Sequence, residues 1–444
     1  MLLPFIFLAS VLASKVNTTI YKVFQAIVGT IYYLFILNLK VEPFFILLSI
    51  AGLNLSLLYL LKLSNRSKIV LTLSIALNLI PLLSIKDYIP FVKLEPNYFI
   101  SIVGLSYFVL NSISMFVDFY DRKFNKFSPL DVVVYLIYFP KILAGPLVRF
   151  AEFSQELNSN YRDKSRAELY SGVFLISWGI IKKWLADYMF QYVSPALNNP
   201  AGFPGEQLFI SAYIYALYIF LDFSGYTDIA RGVSLLMGIR LPENFMSPYL
   251  AKNLREFWRR WHITLYQWIR DYVYVKLLGG SRKGNIRTFI NIMVAFILSG
   301  AWHGNYLNYV LWGALHGLGV YLSRFHTGNN ILSSFLGWIV TFNSMVFLWI
   351  VFAITDLEKV ILYFRTVVSI EPTGLQNFLL SRQDILAVTT LGFLIAFSDS
   401  TLKDKVYTWS TSRAMPFINF AVYLLALILI NTKVSVSPFL YEGF

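Results

Sequence analysis

The sequence predicts an all-α, polytopic membrane protein with about 11 to 12 transmembrane helices. Three observations carry that prediction. The chain is 57% hydrophobic and 14% charged over 444 residues, with a mean hydropathy of +0.61, which leaves too little polar surface to coat a soluble domain. Apolar stretches recur from end to end between short polar loops. The loops on alternate sides also differ in basic charge, as membrane topology requires. The net charge of +13 would suggest a nucleic-acid partner in a soluble protein. In a membrane protein cytoplasmic Lys and Arg account for it, and no nucleic acid is expected. The chain has no cysteine, which excludes disulfides, thiolate nucleophiles, Cys-ligated metals and palmitoylation.

Taken in order, Met1 to Ser14 is apolar but has no basic flank and runs into further apolar sequence, so it reads as a short first span and not as a cleaved signal peptide. Apolar segments follow at Ile20 to Leu39, Phe44 to Leu61, Ile69 to Ile85, Phe99 to Val117, Leu169 to Trp184 and Leu208 to Leu221. Five more lie at Thr288 to Gly300, Asn305 to Leu322, Ile331 to Ile354, Ile385 to Phe397 and Pro416 to Ile430. A crossing takes about 20 apolar residues, so the shorter segments must be tilted, broken or buried among neighbours. If the spans alternate, Lys15 and Lys22, Lys62 to Lys68, Arg122 to Lys126, Arg162 to Arg166, Lys252 to Arg287, Arg324, and Lys403 to Arg413 fall on one side. That side is cytoplasmic, with both termini outside.

The register requires Leu130 to Arg149 to enter and leave by one face. Pro140 and the Gly145-Pro146 pair interrupt it, and broken backbone at membrane depth survives only where protein or water surrounds it, so we read a re-entrant hairpin. Asp222 to Gly238 looks similar, with Asp222, Asp228 and Arg231 interrupting its apolar sequence. Such charges line a cavity or pair with one another, and an Asp228/Arg231 pair at i,i+3 spacing would only fix packing.

Between Lys252 and Lys276, Leu254, Phe257, Trp258, Trp261, Leu265, Trp268, Ile269 and Tyr272 follow the i, i+3, i+4, i+7 rule. Arg255, Arg259, Arg260 and Arg270 lie off that stripe, so the segment predicts one helix along the cytoplasmic interface with its stripe down. His262 falls at the edge of the stripe, where it serves either as a boundary residue or as a functional one. The loop Leu277 to Asn285 is rich in glycine and cations; it is a basic turn or a holder of a phosphate-bearing donor, without the order of a P-loop. Three of the four histidines, His262, His303 and His316, lie between Leu241 and Gly317. His303 is flanked by Gly300, Trp302 and Gly304 at the outward end of a short span, and His316 falls about mid-span in the next helix. No two histidines have the i,i+3 or i,i+4 spacing of a helical ligand pair, which argues against a metal site.

FPKILAGPLVRF (139 to 150), DFSGYTDIA (222 to 230), GIRLPENFMSPYL (238 to 250), the run from Arg255 to Gly284, GAWHG and LWGALHG together resemble the membrane-bound O-acyltransferase family. The likeness is to its bacterial branch of alginate and peptidoglycan O-acetylation proteins; it covers roughly Gly104 to Tyr321 and includes GLSYFVLNSISMFVDFY (104 to 120). The resemblance implies a ring of membrane helices around a thinned centre with a central tunnel, in a single acyltransferase domain over 1–444. Within it, 1–100 would be N-terminal helices, 101–325 the catalytic core and 326–444 C-terminal helices. It implies His303 as the catalytic base and His262 as the second family histidine, with His316 in a less settled role.

Acyl transfer from a thioester to a hydroxyl needs a base near neutral pKa in a site that excludes water. His303 would take the hydroxyl proton or act as nucleophile, Trp302 would shape the tunnel wall, and His262 would position the donor carbonyl or relay protons. Arg255, Arg259 and Lys283 would hold the donor's phosphates, unless the arginines anchor lipid headgroups. The expected donor is cytosolic acetyl-CoA or an acylated carrier protein, with no permanently bound cofactor. The expected setting is a bacterial inner membrane, with a polysaccharide acceptor outside and a separate extracytoplasmic acetyltransferase as partner. D-alanyl transfer toward teichoic acid is the alternative within the family, and a proton-coupled transporter the alternative outside it.

Overall fold

A computed structural model describes residues 17–36, 41–89, 104–159, 165–282, 284–325 and 330–432, together with 434, 435 and 437. The expected first span at Met1 to Ser14, the beginning of Phe99 to Val117 and Lys283 therefore lie outside the described residues. Within them the chain is helical, with one isolated antiparallel bridge between Phe245 and Trp261. The helices are α1 (Thr18–Ile36), α2 (Val41–Leu63), α3 (Lys68–Ile85), α4 (Leu105–Tyr120), α5 (Pro129–Ile137), α6 (Phe139–Ile142) and α7 (Phe150–Ser159). Then come α8 (Arg166–Asn198), α9 (Gly205–Leu236), α10 (Leu254–Arg260) and α11 (Ile263–Trp268), followed by a π-helical stretch over Ile269–Leu277. The chain continues as α12 (Gly284–His303), α13 (Leu307–Leu322), α14 (Ile331–Ala353), α15 (Leu357–Val367), α16 (Pro372–Ser381), α17 (Gln383–Trp409) and α18 (Met415–Ile430).

Five described helices, α3, α9, α12, α14 and α17, are long and apolar enough to cross a membrane. The multi-pass helical architecture read from the sequence is thus the one observed. Leu208 to Leu221 and most of Asp222 to Gly238, as far as Leu236, belong to one helix, α9, of 32 residues instead of a span and a separate broken segment. The charges fail to break it because they are neutralised from the side. Lys182 of α8 pairs with Asp228 and lies 3.1 Å from Asp399 of α17. Lys403 of α17 adds contacts to Asp399 and to Glu243, both at 2.9 Å. The i,i+3 contact from Arg231 to Asp228 is the long one, at 3.7 Å. Helices α8 and α9 approach closely because glycines face each other: a Cβ on Gly179 would stand 2.5 Å from the Gly225 carbonyl oxygen.

The hairpin reading of Leu130 to Arg149 matches the geometry. At 9 residues, α5 rises about 14 Å, too little to cross the hydrocarbon. Tyr138 then adopts extended backbone, α6 lasts 4 residues, and Leu143 to Val148 is buried coil packed in protein. The segment returns to the face it left: the Arg149 guanidinium lies over the Tyr272 ring at 4.6 Å, and the Tyr272 hydroxyl donates to Asp118 in the last turn of α4.

The segment Lys252 to Lys276 departs from the single interfacial helix that its periodicity predicts. It is α10, a break at Trp261 and His262, α11 and the π-helical stretch. Phe257, Trp258, Trp261, Leu265, Trp268 and Tyr272 are all buried inside the protein. Periodicity recorded a buried face correctly, but it could not say whether lipid or protein would cover it.

Candidate active site

Three separated motifs build the turn that carries His262. Its backbone is left-handed, at φ 44°, a conformation that costs a non-glycine residue about 1–3 kcal/mol and so must be imposed by its surroundings. The imposition comes from the loop after α9. Met246 N–H donates to the Arg260 carbonyl and Ile263 N–H to the Asn244 carbonyl, both at 3.0 Å. The Asn244 side chain accepts from the Thr264 hydroxyl at 2.7 Å, and that hydroxyl oxygen accepts from Leu147 N–H of the hairpin coil at 3.0 Å. LPENF, AGPL and RRWHIT thus meet at one knot, which turns the His262 ring inward. The ring is 2% exposed, hydrogen-bonded through Nε2 to the Tyr107 hydroxyl at 3.1 Å and edged by Phe223 at 4.8 Å. Its expected place at the edge of the helix stripe is therefore corrected: the backbone break rotates it off the helix edge into the interior.

His303 closes α12. A Cβ on Gly300 would stand 2.1 Å from the Tyr309 carbonyl oxygen, and one on Gly313 2.4 Å from that of Phe296. Only glycine at these two positions lets α12 and α13 lie this close, and the closeness presents His303 and His316 to one aromatic cluster. The His303 ring, 6% exposed, meets Trp302 at 4.9 Å, Trp312 at 5.6 Å and Phe352 at 4.9 Å. Tyr107 links the two regions, because its ring packs edge-on against Trp302 at 5.8 Å while its hydroxyl holds His262. His316 is fully buried, 4.6 Å from the Trp312 ring, and its Nδ1 accepts the Trp258 indole N–H at 3.2 Å. That bond requires Nε2 to carry the proton in neutral His316, a fixed tautomer.

The end of α12 is gripped from outside by the turn after α3. Lys86 Nζ donates to the His303 carbonyl at 3.2 Å, and the Tyr88 hydroxyl lies within hydrogen-bonding distance of the Ala301 and Gly304 carbonyls. A cation at a helix C-terminus satisfies carbonyls that have no partner within the helix and opposes the helix dipole. Burial pushes the Lys86 ammonium down from the ordinary lysine range to about 8.

A cavity of about 410 Å³ opens beside these residues. Its rim includes Arg255, Arg259, Arg270 and Arg324, and its inner wall is made by Trp258, Ile292, Phe296 and Ser299. Ser299, in the lining of the cavity, stands about one helical turn before His303 in α12, while His303 itself does not line it. Of the residues expected from the sequence, Arg255 and Arg259 line this cavity. His303 and Trp302 do not line it, His316 lies behind the Trp258 wall, and His262 is joined to the group through Tyr107. Sequence reading missed Arg270, Arg324, Ser299, Tyr107 and Lys86. Arg270 lies within a run already read as basic and Arg324 was already counted among the basic loops, but Tyr107 and Lys86 come from distant parts of the chain and carried no local signal.

The sequence matches the profile described as "MBOAT, membrane-bound O-acyltransferase family" over residues 1–364. It is 35% identical over 263 residues to the "Probable alginate O-acetylase AlgI" of Pseudomonas fluorescens, an alignment covering 58% of this chain and 52% of the relative. It is 31% identical over 255 residues to the "Peptidoglycan O-acetyltransferase" of Helicobacter pylori, covering 55% and 48%. The "Teichoic acid D-alanyltransferase" of Bacillus subtilis is 33% identical over 231 residues, covering 50% and 58%. In each case the alignment takes in about half of the relative's length. With buried histidines between close-packed helices, an arginine-lined cavity beside them and a profile match over most of its length, the chain belongs to the membrane-bound O-acyltransferase family.

Proposed function

We propose that this protein is an acyltransferase that moves an acetyl group from a cytosolic thioester, across the membrane, toward the hydroxyls of an extracytoplasmic or cell-wall polysaccharide. The observation that carries the reading is a cavity lined by four arginines and by aromatic side chains, in which Ser299, about one turn before His303, takes part. Arg255, Arg259, Arg270 and Arg324 would hold the donor's phosphates by charge-assisted hydrogen bonds. The apolar interior would take the thioester arm, and the water-poor surroundings of His303 would favour a hydroxyl acceptor over hydrolysis. His303 acts as base: it takes the acceptor's hydroxyl proton as the oxygen attacks the thioester carbonyl, and it returns that proton to the departing thiolate. His262 acts through Tyr107, fixing the wall that includes Trp302. The setting is a bacterial inner membrane with the basic loops in the cytoplasm. A separate extracytoplasmic acetyltransferase would complete delivery to the polysaccharide.

The likeness to a teichoic acid D-alanyltransferase supports D-alanyl transfer as the second reading, with an aminoacylated carrier protein as donor. Purified protein in nanodiscs, offered radiolabelled acetyl-CoA, acetylated carrier protein or D-alanylated carrier protein, separates these readings. Cleavage of an acetyl thioester supports the first and cleavage of the D-alanyl thioester alone supports the second. Solute movement with no thioester cleavage would reverse both in favour of a proton-coupled transporter.

A further inference from the structure

Around His303 stand buried N–H donors that find no acceptor. Trp312 is 1% exposed, and its indole Nε1 makes no hydrogen bond in the structure. The same holds for Nε1 of Trp302. Both rings touch the His303 imidazole, at 5.6 Å and 4.9 Å between centroids. A buried donor without a partner is destabilising, and proteins place few of them. Other tryptophans of the same interior are satisfied: Trp258 donates to His316, Trp268 to the Leu110 carbonyl, and Trp349 to the Tyr249 hydroxyl. His316 Nε2 and several donors farther away are also unmet, but Trp302 and Trp312 are the two tryptophans in ring contact with His303, and both keep a buried N–H without a partner. Trp312 also packs edge-on against Trp258 at 5.6 Å, and Trp258 forms the inner wall of the cavity. It therefore bridges the end of the cavity and the imidazole.

We infer that the indole N–H groups of Trp312 and Trp302 are the donors that receive the carbonyl oxygen of the acyl group during transfer. This rests on the acyl-transfer reading above and adds to it the groups that stabilise developing charge. When the acceptor oxygen bonds to the carbonyl carbon, the C=O π pair moves onto oxygen, and its proton passes to His303. The tetrahedral species then re-forms C=O and breaks the C–S bond, and the thiolate leaves with the proton from His303. The charge-bearing oxygen exists only between these two events. A fixed, dry N–H directed at it therefore lowers the barrier without tightening the ground state. Indole suits the position because it is a donor only, carries no charge into the membrane and cannot compete with His303 for the proton.

The test exchanges the Trp312 indole for 3-benzothienylalanine, which keeps the shape of the ring and replaces N–H by sulfur, in purified protein supplied with radiolabelled acetyl-CoA. The maximal rate of thioester cleavage is expected to fall about 100-fold, with KM for acetyl-CoA within twofold of wild type. The melting temperature should hold or rise, because an unmet donor has been removed. The same exchange at Trp302 should lower the rate in the same sense. A rate within threefold of wild type for both variants would overturn the assignment, and so would rate losses matched by a lost melting temperature. A wild-type protein that cleaves no thioester would overturn the acyl-transfer reading itself, and this is read before any variant is compared.

Discussion

Two buried polar regions of this molecule solve opposite problems. Around α8, α9 and α17, Lys182, Lys403 and Arg231 face Asp228, Asp399 and Glu243, so three cations meet three carboxylates. The Trp178 indole adds a hydrogen bond to Asp399 at 2.8 Å. Lys183 is handled similarly, between Asp187 at 2.8 Å and Asp222 at 2.7 Å. Around α10, α12 and α13 the buried groups are imidazoles and indoles, and Trp302 and Trp312 keep N–H donors unmet. Charges taken out of water must be paired where they stand, so the ionic region ties three long helices together. Neutral donors can be left unmet at a cost of about 1–3 kcal/mol each, which is small enough for a fold to carry at a site that gains a partner during reaction. The difference separates what holds this protein together from what it does.

The contrast can be broken at either end. The largest effect is expected from His303→Ala, which should lower acyl transfer by about 10²–10⁴-fold while the melting temperature stays near wild type. Measured beside it, His262→Ala should lose less rate; equal rates for His303→Ala and wild type would remove the base from the mechanism. Lys182→Met should do the reverse. It leaves Asp228 and Asp399 with one shared cation, Lys403, in place of two and should destabilise the fold by about 3–5 kcal/mol, seen as a large drop in melting temperature and poor recovery from the membrane.

Two smaller effects sharpen the boundary between the regions. Gly300→Ala should force α12 away from Tyr309, destabilising the protein by about 1–3 kcal/mol and lowering the rate more than the stability change explains. Unaltered kinetics in a folded Gly300→Ala protein would argue that the close approach does not set the position of His303. The smallest effect concerns Lys86, whose folded pKa of about 8 lies below its unfolded value of 10.5 because burial disfavours the charge. Between those values the unfolded chain binds more protons than the folded one, so this group's contribution to stability rises with pH across that window. Melting curves of Lys86→Met against pH should lack that share of the rise, and identical pH profiles would show that Lys86 is not the group responsible.

Legibility followed the range of the interactions. The re-entrant hairpin was readable because Pro140, Gly145 and Pro146 are themselves the cause of the break. The break between α10 and α11 was not, because RRWHIT has good helical periodicity; the turn is made by Asn244, Met246 and Leu147, up to 117 residues away. Asp228 and Arg231 looked like an i,i+3 pair, whereas the partners that matter, Lys182 and Lys403, reach Asp228 across α8 and α17.

The sequence by itself determined the solvent, the helical class and the identities of the titratable groups. It did so because lipid demands long apolar helices whose backbone bonds are satisfied within each segment, a condition that composition and local order already express. Only the tertiary structure decided that His262 turns inward to meet Tyr107, that four arginines share one rim, and that Trp302 and Trp312 bring unmet donors to His303. Each of these depends on how closely particular helices approach and how they are rotated. Packing of glycines against distant carbonyls, and hydrogen bonds between loops far apart in the chain, set those quantities, and no local pattern contains them.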